Sequence, residues 1–128
     1  MVKTMLDRRA IRQTVYDELR RSYQYREALK HPAEISPKEL KRMRAWIAVA
    51  DELIETLQRE PDGKARAAYA SDVFSLSGKR QSMRYVNARS SIKFHMSEDG
   101  LRKWKDQAVF TASILAVLYG AVDLSGKG

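Results

Sequence analysis

Cysteine is absent from the 128 residues, which excludes a disulfide framework, a thiolate zinc site and a cysteine nucleophile. That absence fits a reducing, cytoplasmic setting. Proline (three) and glycine (six) are scarce and sit at a few points of the chain, so helices are expected almost throughout. The only histidines, His31 and His95, are far apart and lack clustered acidic partners, so no metal site is expected. Asp51, Glu52 and Glu55 share a helix face, but with no convergent histidine or glycine loop they read as solvated charge. No nucleophile–base pair and no phosphate-cradling glycine loop occurs, so neither an enzyme nor a cofactor is expected. The N-terminal "MVKTMLDRRAIRQ" has no apolar core of a signal peptide. The longest uncharged stretch, residues 107–122, is too short to span a bilayer comfortably and reads as a buried helix, which argues against a membrane partner.

What the chain has in excess is positive charge, +8 overall, and its distribution is uneven. Residues 1–30 carry eight basic and four acidic side chains, residues 31–78 seven and eight, and residues 79–128 nine and four. Within 79–105 eight basic groups face two acids. Charge clustered in this way points to a polyanion, and to nucleic acid before a membrane surface.

Helical periodicity predicts a single all-α domain over residues 1–128. A first helix is expected over about 2–29, with Ile11, Val15, Leu19, Ser22 and Arg26 on one stripe, and "HPAEISP" then interrupts it. The second helix has a strong start signal. Ser36 caps, Pro37 suits the first helical position, Glu39 completes a capping box, and Ile35 and Leu40 flank the cap as a staple. Leu40, Met43, Ile47, Ala50, Ile54 and Leu57 then form a heptad seam, widened by Trp46 and Leu53, until "EPDG" stops it. Residues 1–60 therefore read as an antiparallel helical hairpin for packing or oligomerisation. A third helix is expected over about 64–76, showing Ala68, Tyr69, Val73 and Phe74, with residues 79–86 open between a basic loop and an early helical turn.

The chemistry-bearing segment is "SSIKFHMSEDGLRKW". A short helix over 88–94, capped by Asn87, is followed by a tight connection at His95 and Met96. Ser97 then caps a long helix with Glu98 and Asp99 in its first turn, where acids complement the helix dipole, and Gly120 ends it. Ser91 is small at the expected crossing, and Ile92, Phe94, Met96, Leu101 and Trp104 fill the space between the helices. This is the pattern of a helix-turn-helix over 64–122, with a recognition helix over about 97–112 able to enter the major groove. Glu98, Asp99, Arg102, Lys103, Lys105 and Asp106 are left exposed on that helix, and Trp104 reads as core. Arg102, Lys103 and Lys105 are candidates for guanine or phosphate, and Glu98 for cytosine. Lys79, Arg80, Arg84 and Arg89 are candidates for backbone phosphates.

The same stretch resembles the helix-turn-helix of phage late-gene transcription activators of the RinA and ArpU type, related to the promoter-binding region 4 of sigma factors. Their pattern is two small residues, an apolar, a basic and an apolar residue, then "HVSERTAKRW". Ser90 and Ser91 take the small sites; Lys93, Phe94, His95, Met96, Ser97 and Glu98 follow in register, and Arg102, Lys103 and Trp104 match Lys-Arg-Trp. The resemblance covers about residues 68–118, with "DVF" at 72–74 similar to the end of the family's preceding helix. Gly100 stands where the pattern has threonine; a glycine inside a helix costs about 0.5–1 kcal/mol relative to alanine. The resemblance implies binding to double-stranded DNA and activation of late or packaging genes through contact with RNA polymerase. It adds Ser97 and Lys93 to the candidate DNA contacts.

Two alternatives stay open on sequence grounds: a small terminase subunit, and a helical assembly protein without a DNA role. The second draws on the heptad seam and on the C-terminal helix, which is apolar on nearly its whole circumference through Val109, Phe110, Ala112, Ile114, Leu115, Ala116, Val117 and Leu118. Such a helix requires cover on all sides, and a homodimer would supply it.

Overall fold

The computed structural model describes residues 2–78 and 80–122, with side chains from residue 9 onward. Among the described residues six α-helices follow in order: α1 (Val2–Arg20), α2 (Ser22–Ala28), α3 (Pro37–Gln58), α4 (Gly63–Val73), α5 (Met83–Phe94) and α6 (Glu98–Leu118), with a 3-10 turn at Pro32–Glu34. No strand occurs among the described residues, and no helix there is long and apolar enough to cross a membrane.

Local chemistry sets most of the helix ends. Ser36 accepts from the Glu39 N–H at 3.3 Å, with Pro37 at the first helical position. Glu39 turns its carboxylate to Arg42 (3.0 and 3.2 Å). Gly120, at φ 72°, ends α6 while the Ala121 N–H returns to the Ala116 carbonyl at 2.8 Å. Gly63 is buried where α4 begins against the end of α3; a Cβ there would collide with the Gln58 and Leu57 carbonyls, so only glycine permits this close approach.

The first segment departs from the expected continuous helix over 2–29. The Ser22 hydroxyl donates to the Leu19 carbonyl at 2.7 Å in a fully buried position, and the Arg21 N–H turns to the Glu18 carbonyl at 3.0 Å. This side-chain competition for a backbone acceptor breaks the ladder at Arg21 and separates α1 from α2. The two halves then part company: α2 stays on α3, while α1 packs mainly along α6. A groove brings Ile11 against Phe110, Ile114 and Val117, whereas Tyr16 meets Lys105, so α1 runs antiparallel to α6.

At the centre lies α3, touching α1, α2, α4 and α6. Its most buried line is Trp46, Val49, Ala50, Leu53 and Leu57. Ala50 and Leu57 of the expected seam and the widening Trp46 and Leu53 lie on that line, while Leu40, Met43, Ile47 and Ile54 flank it and stay partly exposed. With neighbours on several sides, the face most deeply covered is set by where α4 and α6 lie and not by a two-helix seam. A single cluster of buried side chains, among them Val15, Leu19, Tyr25, Trp46, Leu53, Tyr69, Phe74, Val86, Leu101 and Ala112, draws on all six helices.

Candidate nucleic-acid interface

The corner between α5 and α6 is built from residues that each answer one local requirement. α5 begins earlier than expected: Ser82 caps it by accepting from the Tyr85 N–H at 3.2 Å, so residues 83–86 are helical and residues 80–82 lead in as non-helical chain. Asn87 is therefore not a cap but an interior residue, whose side-chain oxygen accepts from the Tyr69 hydroxyl at 2.7 Å. Burial pushes the Tyr69 phenol up to about 12.

The face that α5 buries also differs from the expected one. The inner face of α5 runs Met83, Val86, Ser90 and Phe94 at helical spacing, with Val86 and Ser90 fully buried. Ile92 falls on the opposite face, 78% exposed, and does not fill the corner. Ser90 is the small residue buried at the crossing, while the hydroxyl of Ser91 donates to the Met96 carbonyl and holds the turn.

The chain reverses through His95, Met96 and Ser97. His95 adopts the left-handed conformation (φ 54°), and the Met96 N–H bonds the Ser91 carbonyl at 3.1 Å, closing the helix end. Ser97 caps α6, accepting from the Gly100 N–H at 3.2 Å, with Glu98 and Asp99 in the first turn. A Cβ at Gly100 would stand 3.0 Å from the terminal methyl of Met96, a flexible side chain lying over this turn. Leu101 is fully buried; Trp104, expected in the core, is partly buried and packs against it, its ring 6.0 Å from Phe94 and 6.3 Å from Tyr69. Arg66 covers its outer face at 5.3 Å and bonds Gln107.

With Leu101, Ala108 and Ala112 inward, Asp99, Arg102, Lys103 and Asp106 project to solvent from one outward face of α6. Glu98 is also exposed, while the exposed Ser97 has its hydroxyl committed to the cap. Arg102 lies 3.7 Å from Asp99, but both are largely exposed, so this loose pair leaves the guanidinium free to exchange partners. Lys105 does not join this face. It is half-buried with its ammonium 5.5 Å over the Tyr16 ring, because its place in the helical turn points it toward α1.

On α5, Arg84 and Lys93 are exposed, and Lys93 leans over the Phe94 ring at 5.3 Å. Arg80, just before α5, is exposed as well. Arg89 is already engaged: it bonds Asp72 at 2.7 Å and lies over the Tyr85 ring at 5.6 Å, and the Asp72 hydrogen bond raises its pKa. A phosphate at Arg89 has to compete with that carboxylate. Lys79 lies outside the described residues.

Comparison with protein-family models, curated proteins and solved structures finds no significant match to this chain. The site is therefore judged on its own geometry and charge. Two basic residues missed by the sequence reading, Arg9 and Arg12, border α6 from α1, lining a cleft with Lys105 and Asp106. The signal was available: they sit three apart on α1, off the Val15–Leu19 stripe, but their neighbour became evident only when α1 was seen on α6.

Proposed function

We propose that this protein is a duplex-DNA-binding transcription regulator, in which α5 and α6 form a helix-turn-helix and the first turns of α6 enter the major groove. The observation that carries the reading is the α5–α6 corner. A left-handed residue and a serine cap join the two helices, Leu101 and Trp104 anchor the second, and Arg102 and Lys103 remain on its outer face. A helix presented this way fits the major groove, where arginine or lysine recognises guanine. The exposed Arg80, Arg84 and Lys93 supply backbone contacts around it. The assignment to phage late-gene activation, with RNA polymerase as partner, rests on the resemblance of residues 68–118 alone.

Fluorescence anisotropy on a set of duplexes tests this reading. If about six phosphates are neutralised, log affinity falls with log salt at a slope of about −5. Arg102→Ala or Lys103→Ala weakens the preferred site by about 1–3 kcal/mol, whereas Arg80→Ala weakens all sequences alike. A flat salt dependence, or no binding at low salt, removes the proposal.

The proposal includes a symmetric homodimer. Past its basic turns, the outer side of α6 becomes apolar through Phe110, Ile114, Val117 and Leu118, all exposed in the single chain. A second copy covering this strip would pair two recognition helices for two half-sites. Leu118 is 74% exposed, so Leu118→Glu is expected to halve the mass measured by light scattering without loss of helicity. A wild-type monomer at micromolar concentration, unchanged by added DNA, refutes the dimer.

A further inference from the structure

We infer that Arg9 and Arg12 of α1, together with Lys105 of α6, form a second phosphate-binding site that grips the DNA backbone beside the groove entered by α6; this rests on the DNA-binding reading above. The three cations line one open cleft of about 460 Å³ between α1 and α6. Arg9 and Arg12 are exposed, and among the described residues neither takes part in an ion pair. The nearby Asp17 accepts instead from the Gln13 amide at 3.0 Å. Lys105 is held in place by its ammonium lying 5.5 Å over the Tyr16 ring. Among the described residues Asp106 is the one carboxylate lining the cleft, so three positive groups there face a single negative one.

Position selects the ligand. Asp106 belongs both to this cleft and to the outer face of α6 that carries Arg102 and Lys103, so the cleft borders the proposed reading surface directly. At its other end, Arg20 of α1 donates to the Gln81 carbonyl at 3.3 Å, just ahead of α5, where Arg80 and Arg84 are exposed. The α1 cations thus continue a basic rim that starts at the beginning of α5. Arg9 and Arg12 stand roughly 4.5 Å apart along the helix axis, nearly one turn, and so present two guanidinium groups to one run of backbone. A planar guanidinium suits phosphate oxygens bidentately, and the contact carries no base information. The α1 contribution is therefore to affinity and not to sequence preference.

The test compares the full-length wild type with Arg9→Gln/Arg12→Gln, Arg9→Lys/Arg12→Lys and Arg102→Ala, titrated on the same duplexes across a salt series. The Gln pair is expected to lose on the order of thirtyfold in affinity near physiological salt, equally on all sequences, with the salt slope shallower by about 2. The Lys pair keeps the charge and recovers the wild-type slope. Both positions are exposed, so circular dichroism and thermal midpoint should match the wild type in each variant. If Arg102→Ala impairs preferred-site binding while the Gln pair binds with unchanged slope and affinity, the α1 site is wrong and the reading helix stands. If the wild type fails to bind duplex DNA at all, both fall. A Gln pair that alters sequence preference without altering the slope also overturns the inference, since a phosphate contact cannot act in that way.

Discussion

Trp46→Ala is expected to destabilise the protein by about 3–5 kcal/mol, enough to unfold a marginal domain. Trp46 is 1% exposed in the middle of α3, the helix that touches α1, α2, α4 and α6. Truncation removes a large apolar surface from the point where these helices converge. The cavity cannot close by a small shift of one neighbour, because the others hold α3 in place. Urea unfolding followed by circular dichroism measures the loss. Ile92→Ala is the informative companion: with Ile92 78% exposed, its change should stay within about 0.5 kcal/mol. A costly Ile92→Ala together with a tolerated Trp46→Ala would mean that the core has been drawn in the wrong place.

Arg42→Ala is expected to cost about 2 kcal/mol, because it strips a largely buried carboxylate of the nearer of its two cations and leaves only Arg21, 3.5 Å away. The Glu18 carboxylate, only 12% exposed, accepts from Arg42 at 2.7 Å and from the Tyr25 hydroxyl at 2.6 Å. The same guanidinium reaches Glu39 at 3.0 Å and lies 5.2 Å from the Tyr25 ring centre, so one side chain ties α1, α2 and α3. Replacing Glu18 and Arg42 together by Gln and Met should recover part of the loss, since the buried charge is then gone. A single Arg42→Ala variant with an unchanged urea midpoint would show that the network contributes nothing.

The same network sets a pH signature. The Arg42 hydrogen bond holds the Glu39 carboxyl below its ordinary value of 4.5, so its contribution is present above that pH and is lost as pH falls through the lowered value. Burial, then the hydrogen bond to Glu18, raises the Tyr25 phenol above 10.0, so its contribution is intact below pH 10 and is lost as pH rises through the raised value. The thermal midpoint of the wild type should therefore fall at both extremes, and Arg42→Ala should blunt the acid limb.

Much of the molecule was legible because its determinants lie within four residues of one another. Ser36 with Pro37, Ser97 with its two following acids, and Gly120 each satisfy orphan helix-end groups by local contacts, and those three ends stand where the sequence placed them. The turn at His95 and the inward places of Leu101 and Trp104 follow from helical spacing alone. Ser82 carried the same kind of cap signal, but the surrounding basic residues and the glycine at 78 left its segment open between a loop and an early helical turn.

By itself, the sequence determined the all-helical class, the positions of its main breaks and the outward place of Arg102 and Lys103 on α6, because periodicity and capping are properties of the chain at short range. Only the tertiary structure decided the break at Arg21, where a buried Ser22 hydroxyl takes a backbone carbonyl. It alone decided which line of α3 is deepest, where Ile92 and Lys105 point, and that Arg9 and Arg12 stand beside Asp106. Apart from the Ser22 bond itself, which is local, each of these depends on which helices meet across gaps of tens of residues. An amphipathic pattern specifies that a face must be covered and leaves the covering helix to the packing of the whole chain.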